Sequence, residues 1–493
     1  MSESDVLFEQ LEPRLLLDAG FTLLHEFAGG GADGAFPYGT LEQNGVFYGT
    51  AREAGDDGKG ALFSMGIDGT GYTILREFAG GADDGAFPKG SLVLSGGTLY
   101  GMTEFGGDDN KGTIFSIGTD GTGFTLLHEF AGGADDGSSP EGSLALAGGI
   151  LYGMTERGGD SNKGVAFSIA TDGSAFTLLH EFASGGDDGS QPLGSPVISG
   201  GVFYGMTPKG GDDGDGVIFS MATDGGAFTL LHEFAGGVAD GEAPFDSLLL
   251  AAGILYGTAE FGGDNNDGVV FSIATDGSAF TLVHEFDGGL DDGDNPRGNI
   301  ILSDGLLFGM TAFGGDKDDG TIFSMRTDGS RYKLVHEFAG GGDGGERPYG
   351  SLTVRDGILY GMTRQGGDSD KGVVFSQRLF EADLLELPAK FKKKSGWEPV
   401  NDTVPFRYWF TITKKGKFKF KLKGLGKLAS TKITVRLLDA SGDPIAIFVK
   451  VKKLKSLIKL DELAAGTYAI DLTTLSTTLA TYKANLSYKA AKG

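Results

Sequence analysis

Cysteine is absent from this chain of 493 residues, so neither disulfides nor thiolate metal sites are available to it. Histidine is scarce, with six residues, and proline numbers only 14. No apolar run approaches the ~18 residues a membrane-spanning helix needs. The sequence also lacks G-x-S-x-G, H-E-x-x-H and the phosphate-cradling G-x-x-x-x-G-K-[ST], and no nucleophile–base pair stands out. These absences argue against an enzyme.

Glycine is abundant, with 88 residues, yet the hydrophobic fraction of 40% excludes a disordered linker. Short apolar segments separated by Gly/Asp clusters read as an all-β protein with many turns. The net charge of -26 conceals a split. From Glu381 onward there are 22 basic and 10 acidic residues, whereas the first 380 carry 19 and 57. Such asymmetry marks a domain boundary, and the acidic part would repel nucleic acid.

The chain repeats itself every 52 residues. "HEF" begins at His25, His128, His180, His232, His284 and His336, with "REF" at Arg76 filling the gap. "LYGMT" and its variants place an aromatic at Tyr48, Tyr100, Tyr152, Tyr204, Tyr256, Phe308 and Tyr360, and "TIFS", "VVFS" or a variant recurs seven times at the same period. Each copy holds four short segments rich in aromatic and branched residues, as in "SLVLSGG", "TLYGMT", "GTIFSI" and "GFTLLHEF". Four strands per unit of about fifty residues predict a seven-bladed β-propeller.

The pattern resembles the quinoprotein type of propeller repeat, which implies that the first strand lines the channel and the fourth is outermost. The chain opens with an orphan fourth strand, Phe21–Phe27, and the seventh unit ends after its third at Ser376. The N-terminal strand is therefore expected to complete the last blade. More closely, the 52-residue unit resembles the GloVer tandem repeat of bacterial exported proteins over Phe21–Ser376. Members of that family often carry a surface anchor, and the repeat itself implies no activity.

The histidines His25, His128, His180, His232, His284 and His336 read as structural. Strand alternation puts Phe124, Leu126, His128 and Phe130 on one face, against the neighbouring blade. Copies on successive outer strands would lie too far apart to share an ion, so the imidazole is expected to tie a strand to a turn.

Chemistry is better sought in two recurring loops, one after "HEF" and one after "LYGMT", which open on the same, acidic face. Asp108/Asn110, Asp160/Asn162, Asp316/Asp318 and Asp368/Asp370 show a D-x-[DN] spacing that makes calcium a candidate ligand. The full calcium-loop pattern is lacking, and Lys59, Lys111, Lys163 and Lys371 in these loops oppose it. The alternative is that Asp and Asn simply shape turns. Ligand specificity should sit where the repeats disagree, after "LYGMT", which nominates Phe105, Arg157, Lys209, Phe261, Phe313 and Gln365.

Both ends carry further resemblances. Leu11–Ala19, "LEPRLLLDA", resembles the LEPR-XLL motif of bacterial surface proteins; with an apolar core of only three leucines it does not read as a signal peptide, and a non-standard export route is expected. The sequence "LLDASGDPIA…LDELAAGTYAIDL" resembles the bacterial pre-peptidase C-terminal (PPC) domain, which implies a jelly-roll sandwich. Within it, "KFKFKLK" (Lys417–Lys423) alternates strictly: a grip for an anionic surface, an edge strand guarded by lysines, or a dock for the acidic face.

The expected organisation is an export motif (1–20), a propeller (21–377), a linker (378–394) and a basic β-sandwich (395–493). The expected function is a non-enzymatic extracellular or cell-surface binding or scaffold protein, recognising a protein or glycan on its acidic face. Its rivals are a polysaccharide lyase or hydrolase and a calcium-rigidified spacer. No nucleic-acid partner or transmembrane segment is expected.

Overall fold

In a computed structural model of the chain, the described residues are 20–379 apart from Ala32 and Asp343, plus the backbone of ten strands between Leu385 and Ala490. Every regular element among them is a strand. Contacts divide the chain between Leu379 and Phe380 into two units.

The second repeat shows how one blade is made. Val93–Ser95, Thr98–Thr103, Thr113–Gly118 and Thr125–Glu129 pair antiparallel in that order. Phe115 on the third strand lies opposite Gly101 on the second. A Cβ on Gly101 would come within 2.6 Å of that ring, so the bare glycine lets the phenylalanine fold over its neighbour. Phe115 is fully buried, as are Phe63, Phe167, Phe219, Phe271, Phe323 and Phe375 at the same position. Phe130 fills the space between blades, joining Tyr100 and Met102 of its own sheet to Leu144, Leu151 and Phe167 of the next. Each such ring contributes roughly 1.5–3 kcal/mol, so the core is a set of seven interblade seams.

Seven sheets of this kind form a propeller, with blades numbered here by their first strands. The last is completed from the other end of the chain: Phe21–Glu26 pairs antiparallel with Val373–Arg378, beside Ile358–Thr363 and Thr353–Arg355. The ring closes as the orphan strand predicts.

One local expectation fails. Strict alternation along "FTLLHEF" does not hold, because a β-bulge shifts the register between Leu126 and His128. Phe124 and Leu126 pack toward the preceding blade, with Phe78 and Phe115. Leu127, His128 and Phe130 turn to the following one. The bulge lets one short strand supply both seams.

The second unit has two sheets. One runs Leu385–Leu387, Phe406–Ile412, Gly466–Thr474, Ile433–Leu438, Pro444–Phe448. In the other, Lys390–Lys394 and Glu398–Val400 both pair with Ala480–Ala490, followed by Gly416–Gly424 and Lys455–Leu463. Strands 385–387 and 390–394 thus occupy part of the stretch expected as a linker. Gly416–Gly424 is paired on both sides, so the lysine-rich strand is not an edge. The side chains behind the PPC resemblance, and the LEPR-XLL-like motif, lie outside the described residues.

Candidate binding site at the channel mouth

The histidines act as pins. His128 Nε2 lies 3.1 Å from both carboxylate oxygens of Asp136, eight residues later. Asp136 also accepts the N–H groups of Ala131 at 2.9 Å and Gly137 at 2.7 Å, so it holds the loop that leaves the strand. His25–Asp33, His180–Asp188, His232–Asp240 and His284–Asp292 repeat the arrangement, and Arg76 replaces the histidine with Asp84 at 2.9 Å. Burial opposes the Asp292 charge, but hydrogen bonds from His284, Tyr332 and the Asp287 N–H together outweigh it and hold this carboxyl below its ordinary value. Each ring also stacks on the next blade: His128 on Phe176 at 3.8 Å, His284 on Tyr332 at 3.8 Å, and the Arg76 guanidinium 3.5 Å above Phe124. Gly344 stands where the paired aspartate would follow His336, and burial pushes that imidazole down to about 3.

The D-x-[DN] pairs close their own turns. Asn110, at φ 55°, accepts the Gly106 N–H at 3.1 Å, and Asn162, Asp318 and Asp370 repeat this bond. The N–H groups of Asp108, Asp160, Asp316 and Asp368 donate to Glu129, Glu181, Glu337 and Glu26. Among the described residues, no group of three or more His, Asp or Glu side chains is placed to hold a metal ion.

The two loop sets do share one face, paired as short ladders such as Gly85 with Gly106 and Ala86 with Phe105. Phe105, Arg157, Lys209, Phe261, Phe313 and Gln365 all sit in these ladders, opposite Ala86, Ser138, Ser190, Glu242, Asp294 and Glu346. None of the six lines the channel. The residue one place earlier comes closer: Glu104, Glu260 and Arg364 meet side chains at the mouth.

The channel is built by a motif that sequence reasoning missed, Pro-x-Gly-Ser, at or just ahead of the first strand of each blade, with Thr40, Asp246 and Asn299 as its three departures. The glycines let the blades meet: a Cβ on Gly90 would collide with the Gly142 carbonyl, and one on Gly142 with that of Gly194. The serines bridge blades, Ser91 N–H donating to Ser143 Oγ at 2.7 Å, Ser143 to Ser195 at 2.8 Å, and Ser195 to Ser247 at 3.0 Å. All seven blades contribute to the resulting cavity of about 180 Å³.

The x positions are Tyr38, Lys89, Glu141, Leu193, Phe245, Arg297 and Tyr349, each different in kind from most of its counterparts. They form two arcs. From blade 5 to blade 1, rings and guanidiniums alternate: Arg297 lies 5.2 Å from the Phe245 ring and 5.1 Å from Tyr349, and Arg364 lies 5.6 Å from Tyr349 and 6.0 Å from Tyr38. Across blades 2 and 3 the lining is a charge network. Lys89 donates to Glu141 at 2.6 Å and lies 3.0 Å from Glu104, which also meets Arg52 at 3.3 Å. Burial pushes the Glu141 carboxyl up, and Lys89 opposes the rise.

Two groups stand apart. Arg297 is paired with Glu260, but Arg364 has no carboxylate partner among the described residues. Asp246 occupies the place that is glycine in the six other blades. It accepts the Ser247 hydroxyl at 2.9 Å, and burial pushes its carboxyl up to about 6.

The loop face is uneven as well. Where other blades have Lys59, Lys111, Lys163 and Lys371, blades 4–6 have Asp215, Asp267 and Asp319. The N–H groups of Ala243, Asn295 and Arg347 donate to the carbonyls of those three residues, which brings Glu242, Asp294 and Glu346 alongside. Burial first, and then repulsion by neighbouring carboxylates, push these carboxyls up, Asp294 to about 6.

The sequence matches the Gloeobacter/Verrucomicrobia repeat over residues 14–213 and 191–418. The chain belongs to that family. No curated protein matches this repeat protein in sequence. Among solved structures, it resembles a Mycobacterium tuberculosis puromycin-hydrolyzing peptidase at 12% identity and TM-score 0.46, over 71% of this chain and 52% of that one. It also resembles the Trypanosoma rangeli sialidase at 11% identity and TM-score 0.36, over 94% and 92%. No helix among the described residues of the repeat protein is long and apolar enough to cross a membrane.

Proposed function

We propose that this repeat protein is a non-enzymatic binding protein, acting outside the cell or on its surface, whose ligand seats at the channel mouth on the loop face. One observation carries this reading. The pins, turns and core phenylalanines recur in most or all blades, whereas the x positions of the channel lining hold six residue types in seven blades. A scaffold needs no such variety at its axis, but a recognition site does. The cavity is smaller than the roughly 300 Å³ of a usual small-molecule pocket, and so suits one unit or one end of a larger glycan or protein.

The second unit supports a separate contact with an anionic surface. Its register brings Lys417, Lys419 and Lys423 alongside Lys489, Lys459 and both Lys455 and Lys483, at positions of one sheet face.

The test is a glycan and peptide array probed with the full chain and with a Tyr38→Ala/Tyr349→Ala variant of unchanged melting temperature. Hits lost in the variant support the mouth as the site; hits that survive place the ligand elsewhere. The rival, a polysaccharide-acting enzyme, draws on Asp246 and Asp294, whose carboxyls near 6 suit general acids. Release of reducing ends, abolished by Asp246→Asn, would establish it.

A further inference from the structure

The channel mouth also indicates which ligand chemistry it takes, an inference that rests on the binding reading above. Arg364 is the decisive group. The other two basic side chains of the lining are already neutralised, Arg297 by Glu260 and Lys89 by Glu104 and Glu141. Arg364 has no carboxylate partner among the described residues, and its guanidinium lies 5.6, 5.9 and 6.0 Å from the ring centroids of Tyr349, Phe36 and Tyr38. A guanidinium held between flat faces keeps its edge donors free, and those donors fit the two oxygens of a carboxylate.

The remainder of the lining narrows the choice further. Tyr38 and Tyr349 add aromatic surface to the lining, against which a ring-shaped body can pack. Asp246 and Glu141 line the same cavity, and carboxylates beside it call for hydroxyl donors on the ligand. A purely aromatic acid would leave them unmatched. A hydroxylated ring bearing one carboxylate matches all three features, and a single such ring suits a cavity of about 180 Å³.

We propose that the channel mouth recognises a uronate residue of an acidic glycan, with its carboxylate on Arg364, its ring against Tyr38 and Tyr349, and its hydroxyls donated to Asp246 and Glu141. Arg364 is then the specificity-determining residue and Asp246 the group that selects a sugar over other acids.

The experiment is isothermal titration of the full chain with trigalacturonate and with its methyl ester, using the native protein, Arg364→Gln and Tyr349→Ala. Saturable binding of the acid is expected. Removal of one charge-assisted hydrogen-bond pair should weaken it ten- to a hundredfold, both in the ester and in Arg364→Gln. Equal binding of acid and ester, lost in Tyr349→Ala, would overturn the carboxylate inference while leaving the mouth as the site. Binding of the acid unchanged in both variants would assign it to another surface, such as the lysine-rich unit, and overturn both. Absence of binding by either probe would overturn the uronate assignment, and the array would still decide whether the mouth binds anything else.

Discussion

Phe21 lies flat on His336, ring centroids 4.0 Å apart and planes within 3°. One residue opens the propeller and the other lies next to the end of the outer strand of its sixth blade, Lys333–Glu337, so this stack ties the first strand of the chain to the blade before the last. Four residues on, His25 stacks on Tyr72 of blade 1 at 4.0 Å. The N-terminal strand thus holds both of its neighbours. Deleting residues 21–27 is expected to lower the melting temperature of the whole propeller, and Phe21→Ala to cost about 2–3 kcal/mol. An unaltered melting curve for the deletion would contradict strand closure.

His336 should make the fold acid-sensitive. Burial holds its imidazole at about 3, below the ordinary 6.5, so the unfolded chain binds the extra proton first. Its contribution to stability is full above pH 6.5 and declines by about 1.4 kcal/mol per unit as pH falls toward 3. In His336→Leu, the stability difference between pH 7 and pH 5 should shrink by about 2 kcal/mol, read from denaturant midpoints. An unchanged difference would mean that another group carries the pH dependence.

Asp246 has the opposite sign. Its carboxyl is raised from 3.8 to about 6, so ionisation is disfavoured in the folded state. The cost grows as pH rises from about 4 to 6 and is constant above that, at up to about 3 kcal/mol. Asp246→Asn is therefore expected to stabilise the protein at pH 7.5 and to change little at pH 4. Stabilisation equal at both values would point to packing rather than charge.

The loop aspartates and asparagines are engaged in their own turns, as Asn110 is with the Gly106 N–H. Millimolar calcium is accordingly expected to leave the melting temperature within about one degree of its value in chelator, since only ligands that favour the folded state shift it. A saturable rise of several degrees, not reproduced by sodium, would show that these loops open to hold the ion.

The ring was legible because its requirements are periodic. Phe115 must cover Gly101, Phe130 must fill a seam, and both recur in every repeat. The histidine pin was legible in outline, but the bulge at Leu127 was not, since a register shift leaves no mark on apolar alternation. The channel mouth was missed for a different reason. The varied residues after "LYGMT" nominate Phe105 and Gln365, one place beyond Glu104 and Arg364, and a one-residue offset in a strand moves a side chain to the other face. The signal lies elsewhere, in a constant Pro and a nearly constant Gly and Ser flanking a position that holds six residue types in seven blades. Asp246 in a glycine column was its plainest mark.

The most direct test makes the mouth uniform. Tyr38, Lys89, Glu141, Leu193, Phe245, Arg297 and Tyr349 are all replaced by serine, and the variant is compared with the native chain on the same glycan and peptide array. A propeller that still melts cooperatively within several degrees of the native protein, yet has lost its ligands, is the expected result. A variant that folds and keeps them would contradict a binding site at the channel mouth.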